Sequence, residues 1–299
     1  MNSVLIIDKP AGMTSHDVVN RVRRILGERS VGHLGTLDPA ATGVLPLITG
    51  KLTRLAQFYT GSEKSYDGTI RFGFATDTYD ADGEPTTPIT HPQVSLEGLL
   101  ALAGRFRGVI HQAPPPFSAK KIGGVPAYKL ARKHKEVTLE PAEVEIKEFE
   151  ILSVSDDRAT FRARVSSGTY MRSIAHDLGQ LLGCGAHLEA LRRTSVAEFD
   201  LSCAHTLEEL AAGNHEEMLV HPRQVLPAFP CVTANDETAA RIRTGQTVNL
   251  PEFSKAPRVK VFRGQADLIA IVTRVAGTLF HPGIVLVGDA ARETAKLAH

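Results

Sequence analysis

A chain of 299 residues, with 34 Lys and Arg against 33 Asp and Glu, is long enough to bury a full core, as one large domain or as a domain with a smaller module. The formal net charge of +1 excludes a protein that holds polyanions by bulk charge, so any affinity for nucleic acid must come from a local basic face. Three cysteines, Cys184, Cys203 and Cys231, have no metal-ligand spacing and cannot all pair; with no run long enough to span a bilayer and no leader pattern in SVLIIDKP, they predict a cytoplasmic protein.

Residues 4–8, VLIID, have the apolar run of a short buried strand, and KPAGMTS after them has turn chemistry, with Ser15 placed to cap a helix. From Ser15 the apolar residues Val18, Val19, Val22, Ile25 and Leu26 recur at helical spacing, with Asp17 in the first turn. Residues 30–51, SVGHLGTLDPAATGVLPLITGK, are too glycine-rich for a helix and too polar in the middle for a buried strand, and they surround a single carboxylate, Asp38. Residues 66–74 read as a strand leading into the acidic loop ATDTYDADGEPT, and residues 95–106 as a capped helix.

Between 105 and 135 there are eight Lys or Arg residues and no Asp or Glu. Like charges without counter-charges repel one another unless a polyanion approaches. The prolines of APPPFSAKKIGG in the same run exclude a continuous helix or central strand. Residues 142–154 and 159–166 read as a hairpin around DDR, and SGTYMRSIAHDLGQLLG as a turn followed by a helix. A further helical stretch leads to a proline-punctuated linker at 219–232. Beyond it, VKVFRG, DLIAIVTRV and GIVLVG are short strand-like runs. The chain thus reads as a mixed α+β domain with a basic inserted loop, followed by a small β module.

Gly35 and Gly43 allow backbone geometry closed to other residues, and Pro39 pushes Asp38 towards an extended conformation, so GTLDP can hold a carboxylate rigidly. An Asp before Pro is also an ordinary turn residue. Tyr66, at the start of a strand, reads either as a stacking surface for a base or as an aromatic closing a core. Arg172, beside Tyr170 in SGTYMRS, reads as a partner for a carboxylate or phosphate or as a surface arginine. His33 alone decides nothing. There is no phosphate loop, dinucleotide fingerprint, HExxH, deaminase zinc signature or nucleophile elbow. A carboxylate-based glycosidase would need a second positioned acid and saccharide-stacking aromatics. Asp77, Asp80 and Asp82 are spare acids, but there is no tryptophan and the inserted loop is basic.

Taken together, KPAGMTSHDVV (9–19), GHLGTLDPAATGVLP (32–46), KSYDGTIRFG (64–73), PPFSAKKIGGVPAYKLAR (115–132), SSGTYMRSIAHDLG (166–179) and AHLEALRRTSVAEFDL (186–201) resemble the bacterial tRNA pseudouridine-55 synthases. The resemblance runs in order through the first 225 residues or so, and AARIRTGQTVNL (239–250) extends it more weakly into the tail. It implies an α+β pseudouridine synthase fold with a central antiparallel or mixed sheet over residues 1–228, a basic RNA-binding insert at about 105–140, and a PUA-like RNA-binding domain at 229–299. It also implies isomerisation of uridine 55 in the tRNA T stem-loop without metal or organic cofactor, by a monomer needing no membrane and no obligate protein partner.

Carried over residue by residue, the resemblance makes Asp38 the catalytic aspartate, Arg172 the arginine that holds it, and Tyr66 the tyrosine that stacks on the base and assists proton removal. It places Tyr170 beside them. His33 enters the space left by the flipped base, Lys9 and Leu191 line or support the pocket, and residues around 107–135 match the insert that closes over the RNA; the acid-free basic run itself predicts phosphate contacts at Lys120, Lys121, Arg132 and Lys133. A catalytically dead RNA-binding protein on the same scaffold would be expected to have lost Asp38 or Arg172, and both are present.

Overall fold

Strand Val4–Lys9 is covered on both faces, as its unbroken apolar run requires. Val4 and Ile6 enter one core with Val44, Ile48 and Leu55, while Leu5 and Ile7 enter another with Leu45, Leu47 and the helix residues Val18, Val19 and Val22. That alternation assigns the two faces of strand Thr42–Thr49, which pairs antiparallel with it. These elements belong to a computed structural model that describes residues 1–118, 140–213 and 215–286, with the backbone of 121–122 and 125–126.

The large mixed sheet runs, edge to edge, through Ala204–His205, Val4–Lys9, Thr42–Thr49, Ala186–Val196, Lys64–Phe72, Arg158–Val165, Ala142–Ser155 and Gly108–Gln112. Its second half packs one face against helices Leu96–Ala103 and Met171–Leu182, through a core that includes Ile70, Phe72, Phe149, Phe161, Leu99, Ile174 and Leu178. The hairpin expected around residues 156–158 is present.

Two readings need correction. Helix Ser15–Leu26 is capped by Thr14, which forms a capping box with Asp17; Ser15 is its first residue and is buried. The stretch after residue 185, expected to be helical, is strand Ala186–Val196, with helix Leu207–Ala212 only after it. That strand lies in the middle of the sheet, parallel to Thr42–Thr49 and antiparallel to Lys64–Phe72. Register shifts between Leu188 and Ala190 and between Arg193 and Ser195 break its two-residue period, which is the signal a strand would have shown.

The tail forms a second, five-stranded sheet in the order Cys231–Thr233, Arg258–Arg263, Asp267–Ala276, Leu279–Val285, Val248–Asn249. Val259, Val261 and Val272 pack with Ile242 of helix Asp236–Arg243, while Phe262, Leu268, Ile271, Ile284 and Leu286 join the core that holds Val4, Ile6 and Val44. The second sheet is therefore mortared onto the first by apolar side chains, and the Arg54 guanidinium adds a hydrogen bond to the Val285 carbonyl at 2.6 Å. No helix among the described residues is long and apolar enough to cross a membrane.

Candidate active site

The GTLDP loop is bound on every side. Ser15 Oγ accepts from the Leu37 N–H at 2.8 Å and lies 3.1 Å from the Leu37 carbonyl, to which it donates. Lys9, wholly buried, donates from Nζ to Pro10 O and Pro39 O at 2.8 and 3.0 Å, and the Gly12 N–H reaches Pro39 O at 2.9 Å. Arg193, also wholly buried, donates to Val44 O at 2.8 Å, Gly35 O at 3.0 Å and Thr36 O at 3.1 Å. Gly43 is required by close approach: at φ 100° a Cβ would lie 2.2 Å from the Arg193 carbonyl oxygen.

The loop presents Asp38 to Arg172, whose Nε lies 3.0 Å from Asp38 Oδ2. Arg172 is the second residue of helix Met171–Leu182 and is buried, so the surface-arginine reading fails. Nη1 donates to Thr78 O at 3.1 Å and meets Asp80 Oδ2 at 3.3 Å, while Nη2 donates to Phe117 O at 3.0 Å. Every nitrogen of the guanidinium is engaged, so it cannot swing away from Asp38. Desolvation pushes the Asp38 carboxyl above its ordinary range; Arg172 opposes that rise and Asp80 adds to it. The Asp38 side chain is nonetheless 46% exposed, because the loop holds it at the rim of an open cleft.

On one side of Asp38 is a cavity of about 260 Å³ lined by Lys64, Tyr66, Tyr170, Met171, Arg172 and Leu191. Burial raises the pKa of both Tyr66 and Tyr170, and Tyr66 lies directly opposite Arg193 across the paired strands. Gln112 fixes Tyr170 by two bonds to its backbone, accepting from the N–H at 2.8 Å and donating to the carbonyl at 3.0 Å. On the other side Asp38 and Arg172 border a wider hollow of about 590 Å³, into which His16, His33, Asp80 and Asp82 face. Burial lowers the His33 pKa, which favours the neutral ring.

The structure thus brings Asp38, Tyr66, Tyr170, Arg172 and Leu191 together around one cavity. His33 lines the hollow beyond it, and Lys9 supports the loop from behind, its ammonium pushed down to about 8 by burial. Lys120, Arg132 and Lys133 lie outside the described residues. Lys121 begins a two-residue strand paired with Val125–Pro126, and only its backbone is described.

Sequence reasoning missed Arg193, and it treated Asp80 only as a spare acid. It also missed Tyr79, a non-glycine residue at φ 65° between Thr78 and Asp80, whose ring stacks on His176 at 3.7 Å and so fastens the acidic loop to the helix that carries Arg172. Arg193 stands in a strand that also carries His187, Glu189, Arg192, Thr194 and Ser195, so nothing in the local sequence marks it as buried. The cavity can therefore desolvate a flat ring between tyrosines and set one oriented, ionisable carboxylate at its edge.

A solved structure of a Cbf5-Nop10-Gar1 complex shares the fold, with a TM-score of 0.72 and 24% identity over 95% of this chain and 85% of that one. Residues 23–171 match the TruB family pseudouridylate synthase N-terminal domain, and residues 172–227 the tRNA pseudouridylate synthase B C-terminal domain. The chain is 50% identical to the tRNA pseudouridine synthase B of Solibacter usitatus over 293 residues, 96% of this chain and 100% of the relative. It is 41% identical to that of Aquifex aeolicus, over 88% of this chain and 92% of the relative. The chain belongs to the TruB family of pseudouridylate synthases.

Proposed function

We propose that this protein isomerises uridine 55 of the tRNA T loop to pseudouridine, with Asp38 as the group that opens the glycosidic bond. The observation that carries the reading is the Asp38–Arg172 pair at the edge of a cavity walled by Tyr66, Tyr170 and Leu191. A uridine stacked in a folded loop presents its N1–C1′ bond to no side chain, so it must be flipped out first. Tyr66 offers a face for the extruded base, and His33, in the adjoining hollow, is placed to fill the space it leaves.

The isomerisation breaks N1–C1′, turns the base, joins C5 to C1′, moves the C5 proton to a base and returns a proton to N1. A detached uracil must be kept in place while it turns, which a narrow cavity between Tyr66, Tyr170 and Leu191 achieves. Attack of a carboxylate on the sugar and removal of a sugar proton both require Asp38 ionised. Arg172 favours that form against the desolvation that disfavours it. Tyr66 is the acid–base group of the cavity nearest in role to the C5 proton.

Residues 1–228 act as the catalytic domain, with the basic insert at about 105–140 closing over RNA, and residues 229–299 as a PUA-like RNA-binding domain. A tRNA substrate places the protein in the cytoplasm, acting as a monomer without an obligate partner. Incubation with an unmodified tRNA transcript, followed by site mapping, tests this reading: pseudouridine is expected at position 55 alone. Its appearance elsewhere or nowhere would overturn the assignment.

A further inference from the structure

Among the described residues Arg193 is the largest wholly buried side chain, and no carboxylate forms an ion pair with it. Its guanidinium donates to the carbonyls of Gly35, Thr36 and Val44, and Tyr66 is its cross-strand neighbour. The titratable groups it influences at longer range, Lys9, Lys64 and His33, bring no negative charge. A guanidinium taken out of water without an anion is costly, and three carbonyl dipoles compensate it only in part. Tyr66, directly opposite Arg193 across the antiparallel strand pair, is an adjoining group able to become an anion.

Burial alone pushes the Tyr66 phenol upward, which would make its anion hard to form. Of the charged groups around Tyr66, Arg193 lowers the cost of a phenolate and Asp38 raises it; Lys64 lines the same cavity. The register shift immediately after Arg193 lets that side chain turn under the GTLDP loop while its backbone stays paired with Tyr66.

We propose that Arg193 is the positioning residue that makes Tyr66 the acceptor of the C5 proton, by stabilising the phenolate in advance while holding its oxygen at a fixed distance from the Asp38 loop. This rests on the reading of Tyr66 given above. In the step, the phenolate takes the C5 proton and the C–H electron pair flows into the ring. N1 then takes up a proton, and the phenol, by supplying one directly or through water, returns to phenolate. No other reactant is consumed. A preformed positive charge where negative charge develops costs no reorganisation during the reaction.

The test is single-turnover pseudouridine formation across pH 6 to 9.5 with Arg193→Met and Arg193→Lys, each carrying either tyrosine or the more acidic 3,5-difluorotyrosine at position 66, with tRNA binding and thermal melting measured alongside. Arg193→Met should be slower by about 100-fold, with retained tRNA binding and a rate that goes on rising further into alkaline pH than in the wild type. Difluorotyrosine should recover about tenfold of that loss, and Arg193→Lys, which keeps the charge, should stay within about tenfold of the wild type.

A folded Arg193→Met variant at full rate, or a slow one that difluorotyrosine does not improve, would reduce Arg193 to a loop pin and overturn the proposal. If the methionine variant fails to fold, an Arg193→Lys variant as slow as Tyr66→Phe, with no difluorotyrosine recovery, overturns it equally. A fully active Tyr66→Phe enzyme would instead overturn the reading of Tyr66 itself, which is a separate outcome.

Discussion

Lys9 in the large sheet and Lys260 in the C-terminal sheet are sealed from water to the same degree, and each spends its ammonium on two main-chain carbonyls, Pro10 and Pro39 in one case, Arg223 and Val225 in the other. Burial lowers the pKa of both. What differs is the segment each one ties down. Pro39 follows Asp38, whose charged end faces an open cavity. The carbonyls of 223 and 225 belong to the connection into the C-terminal sheet, beside Val225 and Leu226, which are buried in the core joining the two sheets. One device thus holds a reactive group in one region and a structural joint in the other, and burial by itself does not tell them apart.

The comparison is tested hardest at the cavity. Asp38→Asn keeps the size and local bonding of the side chain and removes its charge, so single-turnover conversion should fall by about 10⁴-fold or more while tRNA binding survives. A turn residue would tolerate the change, because asparagine makes the same backbone bond.

Arg172→Met should cost about 100-fold or more and should also move the acid limb of the rate profile. Asp38 already titrates above its ordinary range because of burial, and Arg172 restrains that rise. Without the guanidinium, the pH below which Asp38 is protonated and the rate lost should shift upward. A profile displaced toward acid would contradict the pairing.

Removal of residues 230 onward tests the joint. A freely attached module would leave an enzyme impaired only in tRNA affinity. Phe262, Leu268, Ile271, Ile284 and Leu286 share a core with the large sheet, however, so truncation uncovers apolar surface worth roughly 1.5–3 kcal/mol for each buried side chain involved. The truncated protein should melt at lower temperature or aggregate. Unchanged thermal stability would show that the shared core contributes little.

The smallest expected effects separate the two lysines. Lys260→Met should lower stability by about 1–3 kcal/mol through two unsatisfied carbonyls and leave the single-turnover rate of folded enzyme unchanged. Lys9→Met should incur a similar loss and also slow the reaction, because Pro39 is released beside Asp38. Equal rates for the two folded variants would erase the distinction.

Much of the framework is set locally. The run at 4–8, the helical spacing from Val18 to Leu26, the turn before the Arg172 helix and the short runs of the tail each carry their own periodicity, and each became the element expected of it. Asp38, Tyr66, Tyr170 and Arg172 were found through motifs in which a few neighbouring residues already constrain the geometry, and the structure gathers them around one cavity.

Strand 186–196, Arg193 and the clasp of Asp80 on Arg172 were not legible in the same way. The strand's alternation is interrupted by register shifts that exist only because of its neighbours. Arg193 can be buried only because acceptors 149 to 158 positions earlier in the chain arrive around it. Local propensity and motif therefore determine which elements form and which acid is presented. Tertiary structure alone decides which charged side chains lose their water and what replaces it, because that replacement is made by carbonyls and carboxylates brought from remote parts of the chain.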